Sequence, residues 1–216
     1  MKTIEHWIDG KSTAASSGRA APVFNPATGA QQSEVLLAAK ADVDMAVEVA
    51  KRAFESWSQA SLSQRGKVLF AFRELVNAHV DELAELVTEE HGKVLSDAAG
   101  EVQRGLEVVE FACGIAHLLK GDYSDQVSTD VDTFSFREPL GVVAGITPFN
   151  FPVMVPMWMH PVAIGLRQYV RPQAQRTRSV GLDVDRRVVA ARRLAGWCLQ
   201  RRARRQGCGR RIARFP

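Results

Sequence analysis

From Leu166 to the C-terminus the chain has no lysine, although it has 15 arginines and only two acids, Asp183 and Asp185. Residues 1–165 show the opposite balance, 13 basic against 22 acidic side chains. The overall charge of +4 therefore averages a segment near −9 with one near +13. Taken alone, so dense a basic stretch points to nonspecific binding of nucleic acid or another polyanion. Cysteine is scarce too: Cys113, Cys198 and Cys208 follow no metal-ligand spacing and form no disulfide framework. That argues against a structural metal site and fits a reducing, cytoplasmic setting. The opening MKTIEHWIDGK lacks the apolar core of a secretory signal. The most apolar run is interrupted by Pro139, Pro148, Pro152, Pro156 and Pro161 and includes Glu138 and Asn150, so no membrane span is expected. No G-x-G-x-x-G follows a strand, so the usual dinucleotide fingerprint is absent.

What is present is a run of local signals in a chain long enough for one substantial domain. HWIDGK alternates around Asp9-Gly10, a short hairpin signal. APVFNPATGA supplies a further strand and turn, so the chain opens with a small β arm. From Asp42, a candidate cap, Val43, Val47, Ala50, Phe54 and Trp57 form one helical stripe. SLSQ at 61–64 has the form of a capping box. Behind it Leu69, Phe72, Val76, Val80, Leu83 and Val87 repeat helically until His91-Gly92 closes the run. A third helix is expected through Val102, Leu106, Val109 and Cys113, ending near Gly121. TFSFREPLG alternates like a strand, and GVVAGI reads as a strand covered on both faces. TPFN then turns the chain into a buried helix, with Pro152 at its first position and Pro156 in its first turn. The sum is an α/β chain: a β arm, a helical layer, then the first strand and helix of a Rossmann-like parallel sheet.

The strand–turn–helix is where open α/β sheets bind ligands, because the helix start offers free N–H groups. Asn150, between Phe149 and Phe151, is the polar residue of that turn. It either donates to a developing oxyanion or caps the helix, and on the residues alone the cap is the favoured reading. His91 and His160 have no partner at metal spacing and read as satisfied or solvent-facing. Cys113 lies on an apolar helix face and reads as core, and Met154, Met157 and Met159 read as packing.

GITPFNFPVMVPMWMHPVAI resembles the N–F–P segment of the NAD(P)-dependent aldehyde dehydrogenase superfamily. With HWIDGK, VFNPATG, RAFESW, HGKVLSDAAGEVQRGLEVVEFACGIAHLLKG and FREPLGVVAGITPFNFP, it resembles the CoA-acylating methylmalonate-semialdehyde dehydrogenases over roughly residues 4–164. The resemblance implies the N-terminal portion of the aldehyde dehydrogenase fold, truncated, with residues 1–164 belonging to its NAD-binding domain. It implies NAD as cofactor and coenzyme A as co-substrate, neither bound tightly by this stretch alone. The substrate is a small semialdehyde, and the whole enzyme is a homo-oligomer. A cysteine thiolate attacks the aldehyde, hydride leaves to NAD, and CoA takes the acyl group with loss of carbon dioxide. By the same resemblance Asn150 is an oxyanion donor, and Ile146, Thr147 and Phe149 line the cofactor. The nucleophilic cysteine has no counterpart here, so this chain by itself is expected to be inactive.

Past Ile164 the resembled family runs close to A-C-G-N-T-F-V-L-K-P-S-E-R, whereas this chain reads G-L-R-Q-Y-V-R-P-Q-A-Q-R-T-R. One nucleotide inserted after the isoleucine codon of a back-translated family stretch converts the first into the second. The same shift turns ARRLAGWCLQRRARRQ back into family-like H-A-G-L-P-D-G-V-F-N-V-V-H-G-D-K. Residues 165–216 therefore read as an out-of-frame, disordered, Arg-rich tail. GC-rich codons read out of register give arginine without lysine. Sequencing the gene should reveal one extra nucleotide near the Gly165 codon. The downstream DNA, read in the other frame, should contain a KPSE-like stretch, and its absence would refute the shift.

Overall fold

The computed structural model describes residues 2–166 and 169–174. Strand β1 (Lys2–Ile4) leads to a hairpin of β2 (His6–Ile8) and β3 (Lys11–Thr13). Asp9 (φ 56°) and Gly10 (φ 69°) make its two-residue turn, both with the positive φ that such turns require. Strands β4 (Ala20–Phe24) and β5 (Gln31–Leu36) pair antiparallel, and β1 adds to β5 in parallel, giving the order β1-β5-β4. Asn25 closes their connection by accepting from the Ala27 and Thr28 N–H groups at 2.8 and 3.3 Å. Ile4, Ala21, Val23 and Val35 form the small core beneath this arm.

Four helices follow: α1 (Lys40–Trp57), α2 (Leu62–Asn77), α3 (Val80–His91) and α4 (Leu95–Cys113). Ala39, not Asp42, is the N-cap of α1. Buried Asp42 lies three residues into the helix and accepts from Ala39 N at 2.8 Å and Ser16 N at 3.0 Å. Burial raises its pKa, but those backbone donors outweigh burial and leave it lowered. The capping box of α2 is reciprocal, with Gln64 N donating to Ser61 Oγ at 3.2 Å and Ser61 N to Gln64 Oε1 at 3.0 Å. The single helix expected from Leu69 to Val87 is two, interrupted at His79 (φ −130°, ψ 24°). Gly92 ends α3 in the left-handed conformation at φ 84°, as the His91-Gly92 stop predicts.

Helix α4 is the centre of the layer. Val102, Leu106 and Val109 are buried in one core with Val76, Leu83 and Val87, each such side chain worth about 1.5–3 kcal/mol. After α4 come a 3₁₀ turn (Ile115–Leu119) and the hairpin β6 (Tyr123–Ser128) with β7 (Val131–Phe134), exposed along its whole length. The expected strand TFSFREPLG overlaps β7 only at its start. Strand β8 (Val142–Thr147), helix α5 (Met154–Gly165) and strand β9 (Tyr169–Ala174) then form a parallel βαβ unit packed against α1. β8 is not covered on both faces among the described residues, since Ala144 and Ile146 are exposed. Nor does the backbone break at 164. α5 runs through Gly165, and residues 169–174 are strand rather than the disorder expected from 165 onward. β8 pairs with that strand in parallel, from Val142 opposite Tyr169 to Thr147 opposite Ala174. The rest of the Arg-rich stretch, and the expectation of a polyanion-binding tail, lie outside the described residues.

α5 packs on α4 through Gly105. A Cβ there would lie 2.8 Å from Met157 Sδ and 3.4 Å from Met154 Cα, whereas one on Gly66 of α2 would meet nothing within 4 Å. Gly105→Val should therefore destabilise by about 1–3 kcal/mol. Gly66→Ala should stabilise by about 0.4–1 kcal/mol. Urea midpoints check both, and equal shifts for the two variants would contradict the close approach.

Candidate functional site

The turn between β8 and α5 lies at the carboxyl end of a parallel strand, and its geometry comes from the helical layer. Pro152, expected at the first helical position, precedes the N-cap, which is Val153, while Pro156 falls in the first turn. No side chain of the turn caps the helix. Glu101 of α4, with no accessible surface, does so from across the core. Its Oε1 accepts from Val153 N at 2.8 Å and Met154 N at 3.1 Å. A negative charge at this end also complements the helix dipole. The N–H groups expected to be free for a ligand are therefore occupied.

The other carboxylate oxygen, Oε2, meets Lys93 Nζ at 2.5 Å. Lys93 also donates to the Asn150 carbonyl at 2.6 Å, and its ammonium sits 4.1 Å from the centre of the Phe151 ring. His91 stacks on Phe149 at 5.0 Å, tilted by 34°. The far end of α5 is held as firmly. Trp57 Nε1 donates to the Ile164 carbonyl at 3.1 Å, and buried Arg65 donates to the Gly165 carbonyl.

Asn150 is exposed, and its side-chain amide has no hydrogen-bond partner among the described residues, so the cap alternative does not hold. Ile146 points outward with 48% of its surface exposed, Thr147 is buried at 5%, and Phe149 is half-buried against His91. These four residues thus share one corner. The remaining candidates do not join it. Cys113 is half-buried in the core beside Leu69 and Ile115, and burial pushes its thiol pKa up. His160 packs edge-on to Phe72, and burial lowers its pKa to about 4, against a raising contact from the Pro156 carbonyl, so it is neutral at pH 7. Met154 and Met157 are buried packing, as expected. A groove of 620 Å³ lies at the amino end of β8, against α1 and away from the turn. No group of three His, Cys, Asp or Glu among the described residues could hold a metal ion, and no described helix is long and apolar enough to cross a membrane.

Glu101 and Lys93 were not anticipated from the sequence. The available signal was a carboxylate inside the stripe Ala98, Val102, Gly105, all buried in α4.

A parallel βαβ unit with a turn at the carboxyl end of its strand makes this an α/β chain of the kind that commonly binds ligands at that end. Residues 13–173 match the aldehyde dehydrogenase family, and the chain belongs to that family. It is 48% identical to malonate-semialdehyde dehydrogenase 3 of Geobacillus kaustophilus over 177 residues, covering 82% of this chain and 37% of the relative. Identity to the Pseudomonas aeruginosa malonate-semialdehyde dehydrogenase is 46% over 164 residues, covering 76% and 33%. Among solved structures, a methylmalonate-semialdehyde dehydrogenase of Sinorhizobium meliloti 1021 complexed with NAD superposes with a TM-score of 0.83 at 42% identity. It covers 93% of this chain and 39% of that one. The chain thus spans little more than a third of the length of these relatives.

Replacing Glu101 by alanine would leave two buried N–H groups and the Lys93 ammonium without their acceptor. Losing one partner of a buried charge pair costs about 3–5 kcal/mol. Glu101→Ala should show a loss of that order in chemical denaturation, and Glu101→Gln, which keeps one acceptor oxygen, a smaller one. Equal losses would mean the acceptor oxygen is not what holds the helix start.

Proposed function

We propose that the chain forms the Asn150-bearing part of an NAD-dependent, CoA-acylating dehydrogenase of malonate or methylmalonate semialdehyde. When a thiolate attacks the aldehyde carbon, a C–S bond forms and the carbonyl electron pair moves onto oxygen. The Asn150 amide donates a hydrogen bond to that oxyanion and lowers the barrier to its formation. NAD, when bound, accepts the hydride, and CoA takes up the acyl group with loss of carbon dioxide. The observation that carries this reading is the free, exposed amide of Asn150 at the strand end, beside a helix already capped by Glu101.

Ile146, Thr147 and Phe149 fit one wall of the nicotinamide cofactor. Ile146 would offer exposed apolar surface to it, beside buried Thr147 and a Phe149 ring braced by His91. Gln173 pairs in register with Ile146, at the position where the resembled family has the lysine of its KPSE stretch. In the resembled family that lysine contacts the cofactor ribose, and its absence here fits the reading that NAD is not held tightly by this chain alone. We further infer that residues 1–164 are the in-family portion and 165–216 the out-of-frame tail. On this reading the 216 residues alone are inactive, since Cys113 is a core thiol. The whole enzyme is a cytoplasmic homo-oligomer.

The test is Asn150→Ala in the enzyme with the family frame restored. The expected result is kcat lower by about 10²–10³-fold, with NAD affinity within a few-fold of the parent and melting temperature little changed. Unaltered kcat would remove Asn150 from the chemistry.

A further inference from the structure

Three consecutive residues of the α3–α4 corner, His91-Gly92-Lys93, face three consecutive residues of the turn, Phe149-Asn150-Phe151. His91 covers Phe149, and Lys93 covers Phe151 while donating to the carbonyl of the residue between them. An ammonium has three donors and no acceptor. One goes to Glu101 Oε2 and one to Asn150 O. Glu101 in turn holds Val153 and Met154 through its other oxygen. The path from the Asn150 carbonyl through Lys93 and Glu101 to the start of α5 thus closes a loop around the turn. The Lys93 side chain is 16% exposed: its contact with Glu101 is part-buried, and its contact with the Asn150 carbonyl lies on the exposed side of the turn. Gly92 fixes the corner, because its φ of +84° excludes ordinary side chains and an added Cβ would meet Pro26 Cγ at 3.0 Å.

We propose that Lys93 is a positioning residue for Asn150, setting the aim of its amide by gripping its carbonyl. The proposal rests on the oxyanion reading of Asn150. A purely structural lysine would only balance the Glu101 charge. Its loss would then lower stability throughout and leave the turn as it was. Loss of a positioning lysine also costs stability, because Glu101 keeps only the Val153 and Met154 N–H groups, but in addition it releases the turn while the rest of the fold stays in place.

The first experiment uses the 216-residue chain labelled with ¹⁵N-asparagine, which reports Asn25, Asn77 and Asn150 separately. In Lys93→Met the Asn150 backbone resonance should move to its random-coil position or broaden, while Asn25 and Asn77 stay in place. Lys93→Arg, which retains donors for both partners, should restore it. An unmoved Asn150 signal, or a shift of all three, overturns the proposal. The second is a kinetic cycle in the frame-restored enzyme. Lys93→Met should lower kcat by up to about 10²-fold, the effect of an ~1 Å misplacement of a reacting group, with KM unchanged. In an Asn150→Ala background the same substitution should cost nothing further. An equal loss in both backgrounds would mean that Lys93 acts independently of Asn150, and the proposal would fall. If Asn150→Ala alone leaves kcat intact, the oxyanion reading fails and positioning for catalysis fails with it. The resonance then still decides whether Lys93 orders the turn.

Discussion

A carboxylate removed from water costs several kcal/mol unless donors meet its oxygens, and Glu101 is met on both. Two backbone N–H groups of α5 reach one oxygen and the Lys93 ammonium reaches the other. This arrangement ties α4 and the α3–α4 corner, eight residues apart at Glu101 and Lys93, to the start of α5, 52 residues further along the chain. Without it the apolar helix α5 would begin in the core with unsatisfied donors, and the turn bearing Asn150 would have no anchor. The opposite end of α5 obeys the same rule with opposite charge, as Arg65 and Trp57 serve its last carbonyls. Both termini of one greasy helix are therefore completed by side chains from elsewhere.

Features decided within a few residues were legible in the sequence. The Asp9-Gly10 turn, the Ser61–Gln64 box and the Gly92 stop each follow from local backbone chemistry. Features decided at a distance were not. The stripe through Val76, Val80 and Leu83 runs unbroken across the α2–α3 junction because both helices turn apolar residues to the same core. Asp42 looked like a cap by position, yet works from inside α1 because Ser16, far back in the chain, shares its carboxylate. Strand β6 left no alternation to read, since both its faces are exposed. β9 lay in residues without a readable pattern, and its pairing with β8 was not foreseen.

The site divides along the same line. Asn150 stood out as the polar member of an apolar turn, but the residues alone favoured a helix cap over a catalyst. The carboxylate of Glu101, 52 residues away in sequence from Val153, takes the capping role and leaves the Asn150 amide out of it. Glu101 itself was half-visible as an acid in a buried helical stripe. Lys93 was not visible at all, because a lysine after a helix-ending glycine is ordinarily solvated.

The ties at the far end of α5 also have a meaning in time. Trp57 and Ile164 are separated by 107 residues and Arg65 and Gly165 by 100. At synthesis rates of about 5–20 residues per second, roughly 5–20 s pass between the emergence of each pair. Helices α1 to α4 thus leave the ribosome and can pair while the groove for α5 stands empty. During that interval Arg65 has no Gly165 carbonyl to meet, and the face of α4 at Gly105 is bare to water and to chaperones. The last of the described helices to be made is the one that covers that face.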